Sequence, residues 1–280
     1  MIDHRNVSTQ RACRVVGLAR SMWYYQSKKD DNEVMNKLDE LADKHPNRGF
    51  DSYFGRIRAE GFQWNRKRVL RVYRMMKLQM RRKRKKRLPI RIKEPLVLPQ
   101  TINETWSMDF MCDTLESGRR FRVLNVIDDY NREVLINKPQ TIFPAEHVVN
   151  ALNDLVFFRG KPGQIRVDNG PEFISQAFVS WCKDNNVEIK YIQPGKPVQN
   201  AFIERFNQLY REDVLDAYIF SDLEQVEIIS DKWSEDYNQN HPHGSHMGMS
   251  PRQYARMKIN NDYNKEFLPY LSKTTLSEER

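Results

Sequence analysis

Asp168-Asn169-Gly170-Pro171-Glu172-Phe173 is followed by Gly195-Lys196-Pro197-Val198-Gln199-Asn200-Ala201-Phe202-Ile203-Glu204-Arg205-Phe206, and both runs lie between Val167 and Arg211. Asp168 follows the alternating run Gln164-Ile165-Arg166-Val167, which predicts a short strand with the carboxylate at its end and Asn169-Gly170 turning the chain out of the sheet. A carboxylate placed there points into a cleft. Glu204 falls in a segment of helical periodicity: Phe202, Ile203, Phe206, Leu209, Tyr210 and Val214 share one arc. Asn200, Glu204, Asn207, Gln208 and Arg211 fall opposite. Upstream, Thr105-Trp106-Ser107-Met108-Asp109-Phe110-Met111 reads as a strand whose Asp109 sits between apolar neighbours and is costly to bury unpaired. Three carboxylates on separate elements point to one metal site.

With 280 residues the chain has room for a catalytic domain and a smaller one. Its formal net charge of +9 is unevenly spread: residues 1–104 hold 26 basic and 11 acidic side chains, residues 105–280 hold 20 and 26. A basic front half joined to an acidic back half fits a polyanion-binding region attached to a metal-binding one. Cys13, Cys112 and Cys182 are odd in number and widely spaced, which indicates neither a disulfide framework nor a zinc ribbon. The expected compartment is the cytoplasm, because no apolar run reaches spanning length and the start lacks a secretory core.

Along the chain, residues 8–25 read as two short helices around a turn, spaced either as a helix-turn-helix or as a plain packing module, with Ala12, Val15 and Val16 as apolar positions. Asn32 to Lys44 is a third helix and Ser52 to Glu60 a fourth. Asn65 can cap a fifth, which turns Val69, Leu70, Val72, Tyr73 and Met76 inward and Arg66, Lys67, Arg68, Arg71 and Arg74 outward. A cationic face on the second helix of such a pair suits DNA, mostly through phosphates. Arg81-Arg82-Lys83-Arg84-Lys85-Lys86-Arg87 then opens a basic, proline-containing linker. The expected division is a helical DNA-binding region at 1–78, a linker at 79–104, a catalytic core at 105–257 and a tail at 258–280. In the core, strands at Trp106–Thr114, Phe121–Asp128 and Glu133–Lys138 precede a helix from Ala145 to Phe158. The Asp168 strand, a helix from Ile174 to Asp184, a strand from Val187 to Ile192, the Glu204 helix and a helix from Leu223 to Tyr237 complete an α/β order.

The runs Trp106-Ser107-Met108-Asp109-Phe110, Asp168 to Phe173, and Gln199-Asn200-Ala201-Phe202-Ile203-Glu204-Arg205-Phe206-Asn207 closely resemble the DDE transposases of bacterial insertion sequences. The resemblance is strongest to the third insertion-sequence family, whose core is similar to retroviral integrase. Thirty-five residues separate Asp168 from Glu204, the spacing by which this triad is usually named.

The resemblance implies an RNase H-like integrase core, a mixed central sheet flanked by helices, behind an all-α helix-turn-helix region. It implies Asp109, Asp168 and Glu204 as catalytic ligands of two Mg²⁺, with Mn²⁺ as a substitute ion. Lys196, Gln199 and Asn200, on the approach to Glu204, and Arg211 beyond it are then expected to contact DNA. So are Arg66, Lys67, Arg68, Arg71, Arg74, Arg81, Arg82, Lys83 and Arg84. The implied partners are element terminal repeats and target DNA, further copies of the chain assembled on DNA, and a first-reading-frame protein or its frameshift fusion; a membrane is not among them. The implied activity is DNA strand cleavage and transfer, with an RNase H-like nuclease and an inactive DNA-binding relic or regulator as the alternatives.

Overall fold

The computed structural model describes residues 8–25, 30–80, 98–193 and 200–258. The cation run from Arg81 to Arg87, the loop residues Lys196 and Gln199, and the tail beyond 258 lie outside the described residues.

Five strands form one sheet: β1 (Thr105–Thr114), β2 (Arg120–Asp128), β3 (Val134–Gln140), β4 (Gln164–Val167) and β5 (Glu188–Tyr191). Their order is β3-β2-β1-β4-β5. β1 to β3 pair antiparallel through short connections, whereas β4 and β5 run parallel to β1 after helical crossovers. β3 is an edge strand and so tolerates Pro139. β1 and β2 are covered on both faces, which explains the nearly unbroken apolar run of Val123 to Ile127.

One face packs Trp106, Met108, Leu124, Val126, Ile165 and Val167 against α6 (Ala145–Arg159) and α7 (Gln176–Asp184). The other packs Met111, Phe121, Val123 and Ile127 against α8 (Ala201–Tyr210) and α9 (Leu223–Asn240). α7 begins at Gln176 rather than Ile174 because Ser175 caps it, its Oγ accepting from Phe178 N at 3.3 Å. At the end of α8 the chain widens into a π turn, Arg211–Leu215, which breaks the 3.6-residue phase.

The front half contains α1 (Thr9–Val15), α2 (Arg20–Trp23), α3 (Asn32–Lys44), α4 (Phe50–Ala59) and α5 (Arg66–Met75). α3, α4 and α5 share a core of Val34, Leu38, Leu41, Tyr53, Ile57, Val69, Val72 and Tyr73. Asn65 caps α5, accepting from Lys67 N at 2.8 Å. α1 departs from expectation: Cys13 is buried, but Val15 and Val16 face solvent, as do Trp23, Tyr24 and Tyr25 at the end of α2 and beyond it.

The three-helix unit is docked on the core. Arg48 pairs with Asp213, Asn47 Nδ2 donates to Glu212 O at 2.6 Å, and Gly55 lies against the Pro242 ring. No helix among the described residues is long and apolar enough to cross a membrane.

Candidate active site on the central strand

Asp109 occupies the middle strand of the sheet, half-buried beneath α8. Its Oδ1 accepts from Phe110 N at 2.8 Å and its Oδ2 from Asn207 Nδ2 at 2.7 Å. Burial pushes its carboxyl up to about 6; the two hydrogen bonds oppose that rise, and the negative charges of Asp168 and Glu204 add to it. Asp109 thus lies within electrostatic reach of Asp168 and of Glu204, both far from it in sequence.

Asp168 is exposed just past β4. Its Oδ1 accepts from Gly170 N at 2.9 Å, which closes the Asn169-Gly170 turn. The rest of that motif anchors it. Phe173 is buried and stacks on Phe110 at 5.4 Å, while Glu172 pairs with Arg122, whose guanidinium lies 4.0 Å over the Phe110 ring. Asp168 is thus an exposed carboxylate on a firmly held turn.

Glu204 projects from the exposed side of the first turn of α8, which Ile203, Phe206, Leu209 and Tyr210 fasten to the sheet. Helical periodicity puts Asn200 and Asn207 on the polar side too, and the structure corrects this. They are 6% and 9% exposed: Asn207 is covered because α8 lies across a part of the sheet that is itself polar, at Asp109 and Asn125, and Asn200 Oδ1 is buried with no hydrogen-bond partner among the described residues. Among the described residues no three His, Cys, Asp or Glu side chains already form a cluster that could hold a metal ion. His241, His243 and His246 adjoin one another as rings, packed against Tyr237 and Tyr254.

Residues 99–197 match a family model described as Integrase core domain, and residues 185–251 match a second with the same description. An uncharacterized 31.7 kDa protein of insertion element IS407 from Burkholderia multivorans is 39% identical over 89% of this chain and 91% of its own length. Transposase InsD for insertion element IS2D of Escherichia coli is 25% identical over 83% of this chain and 81% of its own. The chain belongs to the insertion-sequence transposases.

The transposase also shares its fold with a solved simian T-cell lymphotropic virus intasome in complex with PP2A regulatory subunit B56 gamma. The TM-score is 0.51 at 16% identity, over 79% of this chain and 74% of that one. The core is RNase H-like, as the element order implies.

Its cationic residues are less free than the sequence suggests. Arg66 pairs with Asp51 at 2.7 Å, and Arg68 and Arg71 both hold Asp31, at 3.0 and 2.6 Å. Lys67 and Arg74 are exposed and have no ion-pair partner among the described residues. Arg211, whose side chain is 38% exposed, also reaches β1: it donates to Asp113 Oδ2 at 3.2 Å and Cys112 O at 2.9 Å. A cleft of ≈ 1600 Å³ between the helical unit and the core is lined by Arg58 and by Arg205 and Gln208, the latter two close to Glu204 in sequence. Sequence reading missed Asn125, Asn137 and the Arg122–Glu172 pair. The available signal was a lone amide inside the apolar run of β2, Val123-Leu124-Asn125-Val126-Ile127.

Proposed function

We propose that this transposase carries out metal-dependent DNA strand cleavage and strand transfer, with Asp109, Asp168 and Glu204 as the Mg²⁺ ligands. The observation that carries this reading is electrostatic. A half-buried Asp109, already raised by desolvation, is raised further by two other carboxylates from different elements, an imbalance that a divalent cation relieves. The donor set suits Mg²⁺, which takes hard oxygen ligands and keeps several waters. When bound, two such ions supply Lewis acidity at the attacking and leaving oxygens of an in-line displacement.

The chain's own residues supply position. Asn207 and Phe110 N orient the Asp109 carboxylate, and Gly170 N orients that of Asp168. α8 presents Glu204 beside Arg205 and Gln208, which line the cleft toward the helical unit. Lys67 and Arg74 are the described α5 cations best placed to neutralise phosphates, with the Arg81–Arg84 run, Lys196 and Gln199 adding sequence-blind affinity. Arg211 acts by holding the end of α8 to β1. In this reading residues 1–78 engage the terminal repeats, 79–104 link, and 105–257 catalyse. The working form is an oligomer on DNA, joined by a first-reading-frame protein or its fusion.

The test is a labelled element end incubated with target DNA and Mg²⁺, beside a binding titration at fixed salt. Glu204→Gln keeps size and helix position but removes a ligand charge, so cleavage and transfer fall by several orders of magnitude while DNA affinity holds. Near-parental cleavage by that variant removes Glu204 from the metal site. Cleavage without any joined product favours the nuclease reading.

A further inference from the structure

Asp109, Asn125 and Asn137 are direct register partners on the three adjacent strands β1, β2 and β3. Asn137 Nδ2 donates to Asn125 Oδ1 at 2.9 Å, Asn125 Nδ2 donates to Asn207 Oδ1 at 2.7 Å, and Asn207 Nδ2 donates to Asp109 Oδ2 at 2.7 Å. The direction of this row is forced. An ionised carboxylate only accepts, so Asn207 must turn its amide group to Asp109 and its carbonyl to Asn125, and the same constraint passes on to Asn137.

The row ends at Asn137, whose Oδ1 is buried with no hydrogen-bond partner among the described residues. On α8 the Tyr210 phenol meets Ser230 Oγ at 2.6 Å. Ser230 in turn donates to Val226 O at 2.6 Å, so its proton is committed and the phenol must donate to it. The row crosses a face otherwise packed with Val123, Ile127, Ile203 and Phe206. Plain apolar side chains would fill such a place without the cost of desolvating amides.

We infer that Asn125 and Asn137 are positioning residues for the Asp109 carboxylate, acting through Asn207. With Oδ1 held by Phe110 N and Oδ2 by Asn207, the carboxylate plane is set before any ligand arrives. Outer residues of this kind orient the ligands of a metal, and removing one commonly weakens metal binding about tenfold or more. The inference rests on the proposed metal role of Asp109 only for its effect on Mg²⁺. The hydrogen-bonded row itself is independent of that role.

The experiment uses the full chain and the variant Asn137→Leu, whose altered side chain does not touch Asp109. Asn137→Ala is the second variant should leucine disturb the fold, as judged by the backbone amide spectrum. In metal-free protein labelled with ¹⁵N-asparagine, the side-chain amide pair of Asn207, assigned by its loss in Asn207→Ala, is expected to shift in Asn137→Leu. By calorimetric titration, Mg²⁺ affinity should weaken about threefold to tenfold. Adding Asn137→Leu to Asn207→Ala should weaken it no further, because the row is already cut downstream.

Unchanged Asn207 signals overturn the inference. So does a shift without any change in Mg²⁺ affinity when the parent binds the ion, and so do additive losses in the double variant, which mark two independent structural roles. If the parent binds no Mg²⁺, the metal reading falls, and the amide shift alone decides whether the row reaches Asn207.

Discussion

Arg56 on α4 grips Asp236 on α9 through two parallel bonds, Nη1 to Oδ1 at 3.0 Å and Nη2 to Oδ2 at 2.7 Å, across 180 positions of sequence. The guanidinium is buried and the Asp236 carboxyl is held below its usual range by the Arg56 hydrogen bonds, despite desolvation that acts the other way. This pair joins the helical unit to the catalytic core. Removing only the acid strands a buried cation, so Asp236→Ala should cost about 2–3 kcal/mol in urea unfolding, discounted because the carboxylate is partly solvated. Combining it with Arg56→Met should recover most of that loss. A cost under about 0.5 kcal/mol would mean the pair does not hold the two parts together.

Gly55 sits on the same contact for a steric reason. A Cβ there would lie 2.7 Å and 2.8 Å from the Pro242 ring carbons, closer than carbon atoms approach. Gly55→Ala gains helix propensity inside α4 yet should destabilise by about 1–3 kcal/mol through overpacking. The readout is the unfolding midpoint. An increase would show that Pro242 moves aside freely.

Gly170 tests the site rather than the fold. Its added Cβ would stand 2.9 Å from Asp168 Oδ1, the free end of a side chain that can swing away. Gly170→Ala should therefore leave the melting temperature within about 2 °C, a ΔΔG under about 1 kcal/mol for a chain of this size. If Asp168 is a metal ligand as proposed, Mg²⁺-dependent cleavage should drop at least tenfold, because the substitution displaces its carboxylate. Parental cleavage would show that the Asp168 rotamer seen here does not matter to the reaction.

The histidine cluster gives the pH dependence. Burial holds His243 down to about 3 and His246 to about 4, with help from nearby His and Arg charges, and His241 lies well below its ordinary range. The rings stay neutral in the fold, while in the unfolded chain they protonate near 6.5. Unfolding below that pH takes up protons, so stability is intact above about pH 7 and is lost as pH falls through 6.5 toward 4. Each ring should contribute a loss of about 2 kcal/mol between pH 7 and pH 5, about 6 kcal/mol for the three together. Asp109 and Asp129, both raised by burial to about 6, act in the opposite direction over that interval. The measurement is therefore a difference: His246→Phe, which keeps the stack on Tyr254, should flatten the acid limb relative to the parent. An unchanged limb would exclude His246 as a source.

The order of elements was legible because it is set by local rules. Asn65 caps α5, Ser175 caps α7, and Asp222 caps α9 through Gln225 N at 2.8 Å. Periodicities of two and of 3.6 separate strands from helices along residues 105–240. The misreadings arise where a rule loses its local basis. A helical wheel cannot tell solvent from a polar patch of sheet, so it sets Asn207 beside Glu204 on the polar side although Asn207 is buried against Asp109 and Asn125.

What the sequence by itself determined is the set of elements, the α/β class, the basic front half and three carboxylates in order with the family's spacing. Those follow from side-chain chemistry and neighbours a few residues away. Only the tertiary structure decided which charges remain available and how Asp109 is held. Asp51 on α4 pairs with Arg66, Asp31 at the start of α3 is shared by Arg68 and Arg71, and Arg211 reaches Asp113 on β1. The Asn137–Asn125–Asn207 row exists because strand register places two amides beside Asp109 and a helix lays a third over them. Hydrogen bonds and ion pairs act over about 3 Å, so partners 80 to 180 positions apart are settled by packing, which no local pattern encodes.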